Sequence, residues 1–327
     1  MKNIHDIAQM AGVSKSTVSR YLNGGSISEK TRLKIDRIVE ETGYKPNQFA
    51  QSLKAKHTQM MGVIIPRLSS FASSETLNGI ETYLREKDYQ TIIVNTDLSR
   101  EREIQALYTL AKNKVDGILL FATELTEAHV AAIEIIDVPV ILIGQSHQGI
   151  HAIVQNDYEA GKTVGQYLGH RGFSHIAYLG VSTADKAVGI HRKNGVVDGL
   201  AMHGVRPDIY ETTFKLQDAH LHAKELVNRY EAVICATDNI ALGTLKAAYD
   251  KELNVPSDLS IIGFGGYDTT SIVTPMITTI QFPYQQTGRL AAESILKLIN
   301  HQTIAPLQRM SFSLLEKESV DNKNNKE

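Results

Sequence analysis

Lys2–Asn23 reads KNIHDIAQMAGVSKSTVSRYLN, and its spacing decides the fold of the N-terminal region. Ile4, Ile7, Ala8 and Ala11 fall at i, i+3, i+4 and i+7, so they form one apolar face of a first helix that Asn3 caps. Gly12 ends that helix, Val13 is a buried hinge between elements, and Ser14 is a second N-cap. Lys15 to Leu22 then makes a second helix with Val18 and Leu22 turned inward. Its other face carries Lys15, Ser16, Ser19 and Arg20, types that reach base edges or phosphates. Two short helices joined by a Gly-containing turn predict a helix-turn-helix whose second helix enters the major groove of DNA.

Moving outward, Ser28 caps a third helix, Glu29 to Thr42, whose Leu33, Ile35, Ile38 and Val39 complete a small three-helix core ending at Gly43. Pro46 prevents that helix from continuing, and Asn47 can cap another short one, Gln48 to Lys54. So short a helix does not hold alone in water, because nucleation is too costly, and it is expected to fold only when paired on DNA.

The run DIAQMAGVSKSTVSRYLN (Asp6 to Asn23) closely resembles the N-terminal signature of the lactose/galactose repressor family of bacterial transcription factors, with AGVS, TVSR and the following LN all in place. NQFAQSLKAK resembles that family's hinge helix. The resemblance implies a DNA-facing set of Ser14, Lys15, Ser16, Thr17, Ser19, Arg20, Asn23, Asn47, Leu53 and Lys54. It makes Leu53 a wedge in the minor groove at the operator centre with Lys54 beside it; the alternative for Leu53 is a plain linker residue. It further implies a homodimer on a pseudo-palindromic operator.

Charge distribution agrees with a nucleic-acid partner. The 327 residues carry a formal charge of −2, but residues 1 to 58 hold ten Lys and Arg against five Asp and Glu, so a +5 head sits on a −7 body. With 42% hydrophobic and 21% charged residues the chain reads as soluble and globular, long enough for two or three domains. No apolar signal segment opens it and no run approaches the roughly 18 apolar residues of a membrane span, which points to a cytoplasmic protein with no membrane partner. The single cysteine, Cys235 in AVICA, reads as a buried core thiol.

From Met60 apolar strands alternate with amphipathic helices. Strands are expected at Met61–Ile65, Thr91–Asn95, Gly117–Ala122, Val138–Ile143, Ile153–Gln155, Ile176–Gly180, Ala232–Ala236 and Leu259–Phe264. Helices are expected at Ser73–Lys87, Glu101–Lys112, Glu159–Arg171, Lys186–His203, Ala219–Arg229, Asn239–Asp250 and Gln285–Asn300. The fold class is therefore an all-α helix-turn-helix head plus an α/β core of two doubly wound parallel-sheet subdomains, which the resemblance makes periplasmic-binding-protein-like. Expected divisions are a head at 1–46, hinge and linker at 47–58, one subdomain at 59–155 with 282–311, the other at 156–281 with 312–320, and a disordered tail at 321–327.

Ligands of such sheets bind beyond the C-terminal strand ends, in the cleft between the halves. Arg192 in GIHRKNG matches the family's effector-binding arginine and could fork onto two vicinal hydroxyls or a phosphate, with Lys193 an alternative charge. Asp238 in ATDNIALG is either a polar contact or the N-cap of the next helix, and Thr237 departs from the Asn common in the family, which puts its contact in doubt. Where the family has aspartate after Gly-aromatic, this chain has Gly265-Gly266, a pair that allows positive φ and leaves N–H groups to face an anion or hydroxyl. GFGGYD resembles the variant of the family's sucrose-responsive members, implying sucrose or a phosphorylated derivative as effector. Phe71, Phe214 and Phe282 are aromatic candidates for stacking on a sugar or for core packing, and Asn156 and Asp157 bind ligand or cap the helix starting at Tyr158.

No Walker loop, GxGxxG, HExxH or GxSxG motif is present, so no cofactor is expected. His220 with His222, and His147 with His151, lack the partners of a metal site. The function that follows is a sugar- or sugar-phosphate-controlled repressor. Its rivals are a broader carbon catabolite regulator controlled by a phosphoprotein co-regulator and, in a different class, a sugar-handling α/β enzyme carrying an accessory head.

Overall fold

The computed structural model describes residues 2–22, 25–44, 57–122 and 124–325. Asn23, Asn47, Leu53, Lys54 and the expected helix Gln48 to Lys54 lie outside these. The chain forms two compact units, Met1–Gln59 and Met60–Glu327.

In the first unit, α1 (Ile4–Ala11), α2 (Lys15–Leu22) and α3 (Glu29–Thr42) enclose Ile7, Ala8, Ala11, Val18, Ile35 and Ile38. Asn3 and Asp6 form a reciprocal capping box, and Gly12 ends α1 in the left-handed region at φ 57°. The Ser14 hydroxyl accepts the Thr17 N–H at 3.2 Å, and Ser28 caps α3. The Tyr21 hydroxyl donates to the Asp36 carboxylate, which clasps α2 to α3. Leu33, expected in this core, is 62% exposed. It lies two residues before Ile35, roughly 200° around the helix, and so points away from the face that Ile35 and Ile38 bury.

The second unit holds two six-stranded sheets. The first runs β11-β5-β4-β3-β1-β2, all parallel, from β1 (Met60–Ile65), β2 (Gln90–Asn95), β3 (Gly117–Leu120), β4 (Val140–Ile143), β5 (His151–Gln155) and β11 (Leu307–Met310). The second runs β12-β10-β9-β8-β6-β7, from β6 (Ile176–Gly180), β7 (Asp208–Glu211), β8 (Ala232–Cys235), β9 (Ser260–Gly265), β10 (Thr278–Gln281) and β12 (Ser313–Leu315), with only β12 antiparallel.

Both faces of each sheet are covered, which is why the strands are nearly continuous apolar runs. Met61, Val63 and Ile65 of β1 pack toward α4 (Phe71–Arg85) and α11 (Tyr284–Ile299), whereas Met60 and Ile64 pack toward α5 (Arg100–Lys112) and α6 (Glu127–Ile135). The second sheet carries α7 (Asp157–His170), α8 (Lys193–Ala201), α9 (Leu216–Ala223) and α10 (Asp238–Asp250). The chain leaves the first sheet after Gln155, returns to its side with α11 after Gln281, and passes again to the second sheet between Met310 and Ser313.

Several elements differ from expectation. Four strands, β7, β10, β11 and β12, were not in the pattern because DIYE, TTIQ, LQRM and SLL lack an apolar run; β10 is buried through threonines. Helix α6 was also absent from it. The expected helix Lys186–His203 divides into a π-helical turn, Lys186–Arg192, and α8, while the helix expected to reach Arg229 ends at Ala223. The tail 321–327, expected to be disordered, is tied down over its described part. Asp321 N–H donates to Ser260 Oγ, Lys323 N–H to Arg171 O and the Asn324 amide to His170 O, so polar residues find partners without an apolar anchor. No helix among the described residues is long and apolar enough to cross a membrane.

Helices α7 and α8 touch backbone to backbone. Gly161 and Gly165 face Gly195 and Gly199, and a Cβ on Gly161 would lie 2.1 Å from Arg192 O. Gly161→Ala must therefore push the helices apart, and should destabilise the core by about 2 kcal/mol or more in urea unfolding. A change below about 0.5 kcal/mol would show that the contact is not tight.

Candidate functional site

Every strand end that faces the gap between the sheets contributes to one cleft of about 210 Å³. Arg67 and Phe71 follow β1, Gln145 follows β4, Gln155 ends β5 and Asp157 opens α7. From the other sheet come Asp185 and Arg192 after β6, Phe214 after β7, Thr237 and Asn239 after β8, and Phe264 and Tyr267 at the end of β9. This is the crevice outside the carboxyl ends of parallel strands, where such folds take ligands.

Of the predicted effector residues, Phe71, Asp157, Arg192 and Phe214 line the cleft. Asn156, Asp238, Gly265 and Phe282 do not. Arg192 is only 5% exposed, and protein acceptors take part of its fork. Nε and Nη2 donate to Asp157 Oδ1 at 3.0 and 2.5 Å, and Nη1 donates to Ala236 O at 2.5 Å. The guanidinium lies 5.0 Å from the Phe264 ring and 5.1 Å from the Phe282 ring. Burial opposes its charge, Asp157 overrides that, and the net direction of its pKa is upward. Protein groups accept three of its five N–H donors, and one hydrogen on each Nη is left on a side chain that lines the cleft. Phe282, 3% exposed, is one plate of the sandwich rather than a cleft aromatic.

Asp238 is fully buried. Its Oδ2 accepts Tyr267 N–H at 2.8 Å and its Oδ1 accepts the Thr279 hydroxyl at 2.6 Å. It neither lines the cleft nor caps α10. Thr237 is the cap, its hydroxyl accepting Ile240 N–H, and Thr237 also lines the cleft. The pair Gly265-Gly266 takes φ 143° and 70° as expected, but its surroundings do not leave N–H groups facing ligand. Gly266 N–H donates to Thr279 Oγ1 and the next N–H to Asp238. A Cβ on Gly265 would meet the Tyr267 ring at 2.3 Å, so the glycines serve to fold that ring into the cleft. There Tyr267 stacks on Phe71 with centroids 4.3 Å apart.

Asn156 precedes α7, which begins at Asp157 rather than Tyr158, and makes no side-chain cap bond. The residues that the sequence reading missed are Arg67, Gln145, Gln155, Asp185, Tyr267 and Tyr284. Asp185 caps Val188 N–H at 3.0 Å, and burial raises its pKa. All but Asp185 lie within three residues of a strand's C-terminal end, a positional signal that was available for every one except Tyr284, which follows the unexpected β10. His220 bonds Asp250 and His222 bonds Thr212, and no three potential ligands gather as a metal site among the described residues.

On the head, Ser14, Lys15, Ser16 and Arg20 are exposed, and Thr17 and Ser19 are half-buried. Lys15 and Arg20 make no ion pair among the described residues. The Ser14 hydroxyl is engaged with Ser16, Thr17 and the cap, which leaves Lys15 and Arg20 as the projecting cations of α2.

Residues 3–47 match the sequence profile of bacterial regulatory proteins of the lacI family, and residues 166–320 that of a periplasmic binding protein-like domain. Over 308 residues the chain is 46% identical to the sucrose operon repressor of Staphylococcus xylosus, covering 93% of this chain and 96% of that protein. The chain belongs to the lacI family of bacterial regulatory proteins. It is also 31% identical to catabolite control protein A of Priestia megaterium, over 92% of this chain and 93% of that one. The crystal structure of the lac repressor dimer bound to operator and an anti-inducer shares the fold of this lacI-family chain, with a TM-score of 0.90 at 24% identity over 98% of this chain and 99% of that one. Membership makes the chain a regulator rather than the sugar-handling enzyme considered above.

Burial raises the Asp238 carboxyl to about 6, against the pull of Thr279 and Tyr267. The folded chain then holds this proton more tightly than the unfolded chain, where an aspartate titrates near ~4. This group's contribution to stability should therefore fall as pH rises from about 4 to about 6 and level off above. In urea unfolding at about pH 4.5 and about pH 6.5, the native chain should lose on the order of 1 to 3 kcal/mol relative to Asp238→Asn. Parallel changes in the two proteins would contradict the assignment.

Proposed function

We propose that this chain is a homodimeric repressor of a sugar-utilisation operon, probed by a sugar or sugar phosphate in the cleft and acting in the cytoplasm on a pseudo-palindromic operator. The observation that carries the reading is the joining, in one chain, of a head whose α2 projects Lys15 and Arg20 with a cleft walled by aromatic rings and planar polar groups. The high identity to a sucrose operon repressor supports sucrose or a phosphorylated derivative as the effector.

In this reading Lys15, Ser16 and Arg20 lie in the major groove of each half-site, with Arg20 bidentate to a guanine. The assignment of Asn23, Asn47, Leu53 and Lys54 to the same interface rests on the resemblance of their sequence. Residues 59–155 with 282–311 form one lobe, and 156–281 with 312–320 the other. Effector binding changes the angle between the lobes, and the dimer carries that change to the hinge segments, lowering operator affinity.

The test is operator-fragment binding by fluorescence anisotropy at fixed salt, repeated with sucrose, sucrose 6-phosphate, fructose, fructose phosphates and trehalose. One sugar should lower affinity at least about tenfold. Specific binding that no sugar alters would favour control by a phosphoprotein co-regulator instead. Arg20→Ala should cost roughly 1 to 3 kcal/mol of specific binding, lost at a single base position; a uniform loss across sequences would reduce Arg20 to a phosphate contact.

A further inference from the structure

We infer that the effector is anionic, a sugar phosphate monoester, and that Arg67 is the residue that reads its phosphoryl group. The inference rests on the sugar-responsive reading above and names the ligand class of that cleft.

Four charged side chains line the cleft: Arg67, Asp157, Asp185 and Arg192. Arg192 and Asp157 neutralise one another at 2.5 Å, and Asp185 is turned to the Val188 N–H. Arg67 differs from these. It makes no ion pair among the described residues, and its Nε is buried with no hydrogen-bond partner. Buried guanidinium donors are nearly always satisfied, so an orphan in a ligand cleft marks the place of a ligand acceptor.

The placement suits a phosphate in particular. Arg67 follows β1 of the first sheet, and its guanidinium lies over the ring of Phe214, 5.0 Å from the centroid, which follows β7 of the second. The ring flanks the cation, and a planar fork with an unpartnered Nε matches two phosphoryl oxygens. A second buried orphan, Gln155 Oε1, lines the same cleft, while the other end of that amide donates to Thr287 Oγ1 at 3.0 Å. It offers an acceptor for a hydroxyl donor, so the cleft presents an unmatched cation and an unmatched acceptor to one molecule. Because the Arg67 to Phe214 contact spans the two sheets, an anion held by Arg67 also bears on the contact between them.

The test is isothermal titration of the full chain with sucrose, sucrose 6-phosphate and inorganic phosphate, for the native protein, Arg67→Gln and Arg67→Lys, with thermal unfolding as a check on folding. The native chain should prefer the phosphorylated sugar to the neutral one by at least about thirtyfold. Arg67→Gln should reduce that preference to within about threefold, Arg67→Lys should keep part of it, and phosphate alone should bind far more weakly than the ester. A preference that survives Arg67→Gln overturns the role of Arg67; if the Gln variant does not fold, an undiminished preference in Arg67→Lys overturns it. Tighter binding of the neutral sugar by the native chain overturns the anionic effector yet leaves the sugar-responsive repressor standing. Inorganic phosphate binding as tightly as the ester makes the site one for free phosphate and overturns the sugar ester. Failure of every sugar, neutral and phosphorylated, to bind overturns the reading beneath it.

Discussion

The guanidinium of Arg192 lies between the rings of Phe264 and Phe282, with Asp157 across its Nε edge and the carbonyl of Ala236 at its far end. One buried cation thereby fastens the start of α7, the end of β8, the end of β9 and the segment that leaves β10. Removing two charges from water is costly, and the attraction between them offsets that only when the geometry is good and the remaining donors are satisfied. Here a carboxylate and a carbonyl take three of the five donors, and two aromatic rings flank the charge. The pair is accordingly a constraint on the shape of the cleft wall more than a source of net stability.

The neighbouring parts depend on it in turn. Gly161 and Gly195 let α7 and α8 approach until a backbone carbonyl fills the space of a side chain, and this approach brings Arg192 to Asp157. Beside the pair, Asp238 receives Tyr267 N–H and the Thr279 hydroxyl, so a second buried carboxylate folds the Gly265-Gly266 loop and aims Tyr267 at Phe71. Asp238 is internal scaffolding, whereas Asp157 also lines the cleft. The surfaces they leave for a ligand are aromatic rings, the cleft-lining polar atoms of Gln155 and Arg67, and the threonine that caps α10.

Much of this was legible in the sequence, for physical reasons. The head was readable because Ile4, Ile7, Ala8 and Ala11 keep a helical period and Asn3, Gly12 and Ser28 mark its ends. Leu33 was misplaced because being apolar does not say which way a residue faces on α3. The alternating strands and helices gave the two-sheet core, while β10 escaped because half of it is threonine and β12 because it is only three residues long. At the cleft, residue type pointed to Arg192 and Asp238 without revealing that Asp157 and Ala236 take part of the guanidinium and that Tyr267 and Thr279 hold the buried carboxylate. Arg67 sits in PRLSS, a loop with no period; only the fold shows that its Nε is enclosed.

The Arg192 to Asp157 pair constrains the cleft wall, and a double-mutant cycle in urea unfolding measures that coupling. Arg192→Leu and Asp157→Leu should each cost about 3 to 5 kcal/mol, since each leaves a buried charge alone, and the double variant should cost no more than either single one. Additive losses, or single losses below about 1 kcal/mol, would contradict the account.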